Sequence, residues 1–486
     1  MQEFILKSTK NSRVVSVHEV EGVYFGQDTA YPGLPKMYRV GVETKDDSGS
    51  YIRHQVWLPE AWNGIFVGIG GGGIAGKLGD SICEYAKEGY AVAQTDLGTA
   101  HVRYGLKDTP TKSLFSDYGW RSTHIMTLVA KELIEGYYGK APEYSYFLGG
   151  SAGGKQALSE VQRFPEDYDG VLARVPSNNA LFLVLHFLWF HIHSKGECGG
   201  SVLSDEEAKL VSDLAVEFFK ERGGAYDGDD FVSLPYAGKD TVRDFISYLS
   251  EKHPSFTHYQ LEHLQKIYEG PKNPRTGEQI YCGIPIGTED RISCFGSKRD
   301  DDFGLPWFRL FFGQGFKDEE MDFDKDVEAL AKGLAPDFCS NYADLTEFCE
   351  RGGKLIVYSG SSDHLGPWAD ALNYYKRVCE KTGGYDNVKE FFRYFIIPGM
   401  GHGAGARGAD LVKGSDGESE VLSDLRAWRE HGVPPHHLTA VHKMPNGSDT
   451  DVKFKRDVLP ITPKSRVWDD YPECCSARLL GLSTKK

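Results

Sequence analysis

The sequence contains no apolar segment of the length that a membrane-spanning helix needs. Such a helix takes about 20 largely apolar residues, whereas the most apolar stretch, residues 180–190, is shorter and is interrupted by His186. The N-terminal residues also lack the basic start, the apolar block and the small-residue cleavage site of a secretory signal. The sequence therefore predicts no membrane-spanning helix, and the missing signal favours either a mature form or a protein that stays inside the cell.

Basic residues are outnumbered, and the cysteines follow no known ligand spacing. The 55 Lys and Arg side chains face 70 Asp and Glu side chains, so the formal net charge is −15. A nucleic-acid-binding protein needs a basic surface, so this class is excluded. The nine cysteines form no CxxC pair and no zinc spacing, and an odd number cannot all pair within one chain. We therefore expect reduced thiols and a cytoplasmic protein.

Short apolar runs alternate with helical patterns over much of the chain. The runs that read as buried strands are residues 64–69, 90–95, 144–148, 354–359 and 391–397. Between them, apolar side chains recur at helical spacing, most clearly in residues 124–138 and 368–379. This alternation predicts an α/β fold in which helices cover both faces of a parallel sheet.

The middle of the chain lacks the alternation. Residues 177–340 contain aromatic-rich helical stretches but few strand signals, which is typical of an inserted domain. We predict a core in two parts, residues 1–176 and 341–486, with residues 177–340 forming a large cap, or lid, between them. The residues after 434 show no regular pattern and are predicted to be irregular. The oligomeric state is not determined by these patterns.

A glycine-flanked serine is the most informative local feature. The strand at 144–148 runs into the G-x-S-x-G motif centred on Ser151, and a helical stretch follows at 155–163. In a nucleophile elbow the serine occupies a sharp strand-to-helix turn, and N–H groups at the helix N-terminus stabilise an oxyanion. A glycine-rich turn with an incidental serine is the alternative. The strand–turn–helix context favours the nucleophile.

An acid and a base follow in the order typical of α/β-hydrolases. Asp363 comes just after the strand at 354–359, and His402 lies in a glycine loop just after the strand at 391–397. One strand–helix–strand unit fits between them. Both would lie at the carboxyl ends of strands, where parallel sheets place active sites. We predict that Ser151, Asp363 and His402 form a catalytic triad.

The glycine cluster at 68–76 supports two functions. It satisfies the G-x-G-x-x-G pattern, and Asp96 ends the next strand, as in an NAD(P)-dependent oxidoreductase. In a hydrolase, Gly72 or Gly73 would instead supply one oxyanion-hole N–H group and Ala152 the other. The oxidoreductase leaves the serine elbow, the acid and the histidine unexplained, so we favour the hydrolase. A partner-binding protein that keeps this fold without turnover is the third alternative.

Further motifs are spread over most of the chain. They are WNG at 62–64, TDLG at 95–98, YYG at 137–139, SAGGKQAL at 151–158, FPEDYDG at 164–170, IYEGP at 267–271, NPRTGE at 273–278, YY at 374–375 and PGMGH at 398–402. With them, the chain resembles the tannase and feruloyl esterase family. The resemblance implies an α/β-hydrolase with a large lid that cleaves small-molecule esters of aromatic acids, such as gallate or ferulate, without a required cofactor. It also implies the triad Ser151, Asp363 and His402.

Two departures from the family pattern stand out. The family usually has a disulfide between cysteines just before the serine and just after the histidine, where this chain has Gly150 and Gly403. Their absence fits a reducing compartment.

The second departure concerns metal binding. The family's lid commonly holds a structural calcium in an Asp- and Gly-rich loop, and the nearest segment here is shorter. Asp227, Asp229 and Asp230 offer oxygen ligands for such an ion. A solvated acidic turn is the simpler interpretation and the one we favour.

Overall fold

The computed structural model describes residues 6, 9–100, 113–291, 305–313, 315–317, 320–403, 406–444 and 452–483. The chain divides into two compact units. Unit 1 comprises Met1–Asn178, Asp337–Ile356 and Lys485–Lys486, and unit 2 comprises Asn179–Pro336 and Val357–Thr484.

The strands of the described chain are numbered in chain order. They are β1 Ser12–Phe25, β2 Ala30–Lys45, β3 Tyr51–Pro59, β4 Ile65–Ile69, β5 Ala91–Thr95, β6 Tyr144–Gly150, β7 Gly170–Arg174, β8 Lys354–Gly360, β9 Phe392–Ile397, β10 Leu411–Lys413, β11 Leu438–Lys443 and β12 Val452–Val458.

The helices follow the same convention. They are α1 Cys83–Lys87, α2 Leu114–Ser116, α3 Ser122–Tyr138, α4 Ala152–Arg163, α5 Ala180–His193, α6 Asp205–Lys220, α7 Thr241–Lys252, α8 His258–Glu269, α9 Leu305–Phe312, α10 Asp326–Gly333, α11 Ala335–Phe338, α12 Thr346–Glu350, α13 Trp368–Lys381, α14 Tyr385–Val388, α15 Val421–His431 and α16 Ala477–Ser483. A π-helical turn, Asp117–Arg121, leads into α3, and a 3₁₀ turn covers Glu289–Arg291.

Unit 1 is built on a twisted sheet in the order β1-β2-β3-β5-β4-β6-β7. Strands β5, β4, β6 and β7 run parallel, and their side chains fill the core. The parallel arrangement was predicted, but β7 was not among the predicted strands. Strands β1 to β3 extend the sheet with antiparallel pairs, which the sequence analysis missed. The reason is that most side chains of β1 are at least partly exposed, so it lacks the continuous apolar run of a buried strand.

Helix boundaries in unit 1 follow from local chemistry. Helix α3 covers the predicted segment and ends at Gly139, whose φ of 73° is the left-handed cap that glycine tolerates best. Helix α4 starts at Ala152, directly after Ser151. Strand β8 begins in unit 1, where the N–H of Lys354 donates to the carbonyl of Asp169 at 3.0 Å, and it ends in unit 2.

Unit 2 has its own apolar core, formed largely by α6, α7 and α8. Capping boxes at Ser204 and Thr257 start α6 and α8. Beyond β9, the strands β10, β11 and β12 form a separate antiparallel sheet. The prediction that the chain is irregular after residue 434 is therefore wrong, because β11, β12 and α16 lie there.

The predicted domain boundaries and the observed units differ in one respect. The predicted cap at 177–340 nearly coincides with the first segment of unit 2, which ends at Pro336. Residues from Val357 onward, which we predicted to be core, group with that segment instead.

One cysteine pair departs from the expectation of reduced thiols. Cys282 and Cys474 form a disulfide within unit 2, across 192 residues of sequence. The expectation is wrong for this pair, because contacts between residues so far apart leave no local sequence signal. Within the described residues, no helix combines the length and the apolar character that crossing a membrane requires.

The first prediction concerns Gly149, where strand β6 passes helix α4. A Cβ atom at Gly149 would overlap the carbonyl group of Gly153, which is backbone and cannot turn aside. We expect Gly149→Ala to lower the free energy of unfolding by about 3 kcal/mol, measured by urea denaturation. Gly481→Ala is the control, because its Cβ meets nothing within 4 Å in helix α16. Equal unfolding midpoints for Gly149→Ala and the wild type would contradict this account.

Candidate active site

Ser151 occupies the turn between strand β6 and helix α4. Its backbone has φ 59° and ψ −121°, a conformation rare for any residue but glycine. The turn is held on both sides: the Ser151 N–H donates to the Arg174 carbonyl at 3.0 Å, and its own carbonyl accepts from the Ser177 N–H at 3.1 Å. Strain held by surrounding hydrogen bonds is typical of a functional residue. The geometry is that of a nucleophile elbow.

The glycine loop after strand β4 lies against the start of helix α4. A Cβ atom at Gly70 would come within 2.6 Å of the Gly153 Cα, so only glycine allows this approach. Ala152, the first residue of α4, has no intrahelical acceptor for its N–H. Within the described residues, the N–H groups of Gly72 and Gly73 also have no acceptor. The elbow and the loop therefore bring the predicted oxyanion-hole residues to neighbouring backbones.

The predicted acid and base are in direct contact in unit 2. The Nδ1 atom of His402 lies 2.8 Å from Oδ2 and 3.0 Å from Oδ1 of Asp363. Asp363 is fully buried, and its Oδ1 also accepts the N–H groups of Leu365 at 2.9 Å and Gly366 at 2.8 Å. These hydrogen bonds hold the carboxylate in place, and the carboxylate orients the imidazole so that Nε2 faces away from it.

Backbone hydrogen bonds join the two loops that carry this pair. The Ser361 N–H donates to the Ile397 carbonyl at 2.9 Å, and the Ser362 N–H donates to the Met400 carbonyl at 3.0 Å. The Ser361 hydroxyl accepts the Gly399 N–H at 2.7 Å. The distance between acid and base is thus set by backbone rather than by long side chains.

The charge of Asp363 controls the basicity of His402. Burial lowers the pKa of the imidazole, but the negative charge of Asp363 and the hydrogen bond to it outweigh burial. The pKa of His402 therefore lies above its ordinary value of 6.5. A general base must be neutral to accept a proton, so the pair sets an acidic limit on any reaction it catalyses.

A cavity of 260 Å³ adjoins His402 within unit 2. It is lined by Phe231, Gly287, Thr288, Asp290, Ser362, His364, Leu365, Gly401, His402, Gly403, Ala406 and Arg407. The sequence analysis did not predict the lining residues outside the two catalytic loops. They come from separate segments with no shared motif, so only the tertiary structure identifies them.

The residues that suggested a dinucleotide-binding site have structural roles in the fold. Asp96 is fully buried, and its carboxylate accepts the Arg53 N–H at 3.0 Å and the Arg53 Nε at 2.7 Å. It is therefore not free to bind a ribose hydroxyl. Gly68 lies inside strand β4, where a Cβ atom would overlap the Tyr168 hydroxyl. The first glycine of the pattern is thus a packing residue and not part of a phosphate-binding turn.

The acidic segment considered for calcium is largely neutralised by basic side chains. Asp229 is buried and forms a two-pronged ion pair with Arg456, and Asp230 lies 2.9 Å from the Nζ of Lys453. Asp227 is exposed. Carboxylates already paired in this way do not fit a calcium site as they stand. The solvated turn that we favoured is wrong for Asp229, because this carboxylate is buried and paired with Arg456.

Comparisons with known proteins identify the family. A sequence model described as tannase and feruloyl esterase matches residues 36–299 and 316–477. The chain belongs to the tannase and feruloyl esterase family. It is a carboxylic-ester hydrolase, and the oxidoreductase alternative finds no support.

Individual relatives agree with this assignment. The chain is 29% identical to an uncharacterized esterase of Xanthomonas campestris, over 90% of this chain and 83% of that protein. It is 27% identical to a probable feruloyl esterase B-2 of Aspergillus fumigatus, over 86% and 81% of the two chains. The crystal structure of feruloyl esterase B from Aspergillus oryzae superposes with a TM-score of 0.80 at 22% identity, covering 96% of this chain and 97% of that one. The predicted α/β-hydrolase fold is confirmed.

The second prediction is a pH limit set by His402. Because its pKa is raised, we expect kcat/KM for an ester to fall with decreasing pH, with a midpoint above 6.5. Asp363→Asn should move this midpoint to lower pH and reduce kcat by about 10⁴-fold. Asp386→Asn is the control, since that residue is paired only with Lys389 on the surface. A wild-type midpoint at or below 6.5 would contradict the proposed basicity.

Proposed function

We propose that this protein hydrolyses esters of phenolic acids through an acyl-enzyme formed on Ser151. The observation that carries the proposal is the buried Asp363–His402 pair, with Ser151 in the backbone conformation of a nucleophile elbow. The names of its relatives, feruloyl esterases among them, support a phenolic acyl group. A non-catalytic binding protein would have no need to keep this strained serine and this charged pair.

The proposed mechanism begins with attack of Ser151 Oγ on the ester carbonyl carbon. His402 accepts the hydroxyl proton at Nε2, because its Nδ1 is held by Asp363. The carbonyl oxygen becomes negatively charged and receives hydrogen bonds from the Ala152 N–H and from the Gly72 or Gly73 N–H. The C–O bond to the alcohol then breaks, and His402 returns the proton to the leaving oxygen.

Deacylation repeats these roles with water. His402 removes a proton from the water as it attacks the acyl carbon, and the same N–H groups stabilise the second tetrahedral intermediate. Collapse releases the phenolic acid, and the proton returns to Ser151. The reaction requires no cofactor.

The segment 177–340 is proposed to act as a lid that shapes the substrate pocket. Phe231, Thr288 and Asp290 belong to this segment and line the cavity beside His402. An aromatic ring together with polar side chains suits a substrate that is part phenolic and part polar. Hydrolysis rates on a panel of esters identify the acid and the alcohol of the substrate.

The third prediction tests the nucleophile with a panel of methyl and sugar esters of phenolic acids. We expect wild-type hydrolysis of at least one ester, and a loss in kcat of about 10⁴- to 10⁶-fold for Ser151→Ala. Combining Ser151→Ala with His402→Ala should add little further loss, because the triad acts as a unit. Ser247→Ala on the exposed face of helix α7 serves as the control. Wild type that cleaves no ester of the panel, or an active Ser151→Ala variant, would refute the proposal.

A cytoplasmic location is also proposed, on the basis of Gly150 and Gly403, which stand where the family usually has linked cysteines. The Cys282–Cys474 disulfide weighs against it, because such bonds persist mainly in oxidising compartments. Fractionation of the source cells tests the location directly.

The fourth prediction follows from the position of that disulfide. Neither Cys282 nor Cys474 lines the cavity beside His402. We therefore expect reduction to lower the melting temperature while kcat at 25 °C stays within about twofold, since such bonds typically contribute about 2–4 kcal/mol to stability. Cys282→Ser with Cys474→Ser should reproduce the effect without reductant. Loss of kcat in proportion to reduction would show that the bond supports the site.

A further inference from the structure

The loop that would complete the oxyanion hole has little to hold it in shape by itself. Residues 70–73 are four consecutive glycines. No neighbouring atoms pack closely against Gly72 or Gly73, since a Cβ atom at either position would meet nothing within 4 Å. Glycine runs are conformationally free. An oxyanion hole needs donors fixed to within a few tenths of an ångström before charge develops. A turn within the loop, in which the Ala75 N–H donates to the Gly72 carbonyl at 3.0 Å, leaves Gly71 and the Gly73 carbonyl to be held from outside the loop.

Gln156 supplies the first anchor. Its side chain is fully buried on helix α4, one turn after Ala152. The amide Nε2 donates to the Gly71 carbonyl at 2.9 Å and to the Ala152 carbonyl at 3.1 Å, while Oε1 accepts the Gly71 N–H at 3.3 Å. One amide thus forms hydrogen bonds with both backbone groups of Gly71 and with Ala152, the residue that carries the other oxyanion donor. It also occupies the Gly71 N–H, which leaves Gly72 and Gly73 as the donors.

Tyr118 supplies the second anchor, at the other end of the loop. Its hydroxyl donates to the Gly73 carbonyl at 3.0 Å. Tyr118 is in turn held by Lys155, whose buried Nζ donates to the Tyr118 carbonyl at 2.8 Å and lies 3.5 Å from the centre of its ring. Lys155 and Gln156 are adjacent on helix α4. Both anchors therefore depend on the helix that begins directly after Ser151.

We propose that Gln156 and Tyr118 are positioning residues that hold Gly72 and Gly73 in register with Ala152, so that the oxyanion hole exists before substrate binds. This inference rests on the proposed function of Ser151. The negative charge on the carbonyl oxygen exists only in the transition state. Loss of the anchors therefore lowers kcat while KM and the acidic limb set by His402 stay in place.

The decisive variant is Gln156→Met, which keeps the length of the side chain and removes all three hydrogen bonds. The matched control is Gln162→Met on the same helix. Gln162 is equally buried, and its amide also bonds two backbone groups, the Ser340 carbonyl at 2.9 Å and the Tyr342 N–H at 3.2 Å, but it lies away from the glycine loop. Both variants lose comparable packing and hydrogen bonds, so only the first should affect catalysis.

Two readouts separate positioning from a general structural role. The first is kcat and KM on an ester that the wild type cleaves. The second is affinity for an aryl boronic acid, in which Ser151 Oγ bonds to boron and its proton passes to His402. The adduct is an anionic tetrahedral boronate with one hydroxyl oxygen in the place of the oxyanion. Affinity for the free phenolic acid, the reaction product, is the ground-state reference.

We expect Gln156→Met to reduce kcat and boronate affinity together by about 10²- to 10³-fold, with KM and product affinity within about threefold. Tyr118→Phe should reduce both by about tenfold, because it removes one hydrogen bond. Gln162→Met should leave both near wild type. If Gln156→Met does not fold, the same measurements are made on two other variants. Gln156→Glu keeps the shape of the side chain and removes both donors, and Tyr118→Phe removes the hydroxyl.

Equal effects of Gln156→Met and Gln162→Met on kcat and boronate affinity would overturn the inference while leaving the proposed function intact. So would a rise in KM with unchanged kcat. Wild type that neither cleaves the ester nor binds the boronic acid would instead refute the proposed function, and the inference with it. The wild-type measurement thus distinguishes the two failures.

Discussion

Backbone packs directly against backbone where the glycine loop, strand β6 and helix α4 meet. Gly70, Gly149 and Gly153 each lie so close to a neighbouring backbone that a single Cβ atom would force the elements apart. This contact determines how near the loop after β4 comes to the start of α4. The strained turn at Ser151, the orphan N–H of Ala152 and the hydrogen bonds of Gln156 all depend on that distance. A looser contact would leave the same residues present but would separate the donors from the nucleophile.

The acid–base pair is positioned by hydrogen bonds between loops and not by close packing of glycines. Asp363 and His402 lie on two loops that are joined through backbone and through the Ser361 hydroxyl. The Asp363 carboxylate is buried, yet its charge is satisfied by two backbone N–H groups as well as by the imidazole. A buried charge of this kind is tolerated only because each of its bonds is made. Burial lowers the pKa of His402, but the Asp363 carboxylate and its hydrogen bond raise this pKa above its ordinary value.

Local patterns predicted the candidate triad. Ser151, Asp363 and His402 each follow a short apolar run, and glycines flank Ser151 and His402; these are properties of a few adjacent residues. Strands β4, β5 and β6 of the parallel part of the unit 1 sheet were predictable from their short apolar runs, whereas β7 was missed. The antiparallel strands β1 and β2 were missed because they are partly exposed, and β3 because Arg53, His54 and Gln55 interrupt its apolar run. Strands β11 and β12 were missed because they are partly polar. The glycine cluster was ambiguous because phosphate binding and oxyanion binding use the same conformational freedom.

By itself the sequence determined the fold class and the family resemblance and predicted the candidate triad, since each depends on the order of neighbouring side chains. Only the tertiary structure decided which charged and polar side chains are already paired with another residue. It paired Asp96 with Arg53, Asp229 with Arg456 and Asp230 with Lys453. It joined Cys282 to Cys474, and it brought Gln156 to Gly71 across 85 residues. Such contacts depend on which segments the fold brings together, and residues distant in sequence carry no local mark of a future partner.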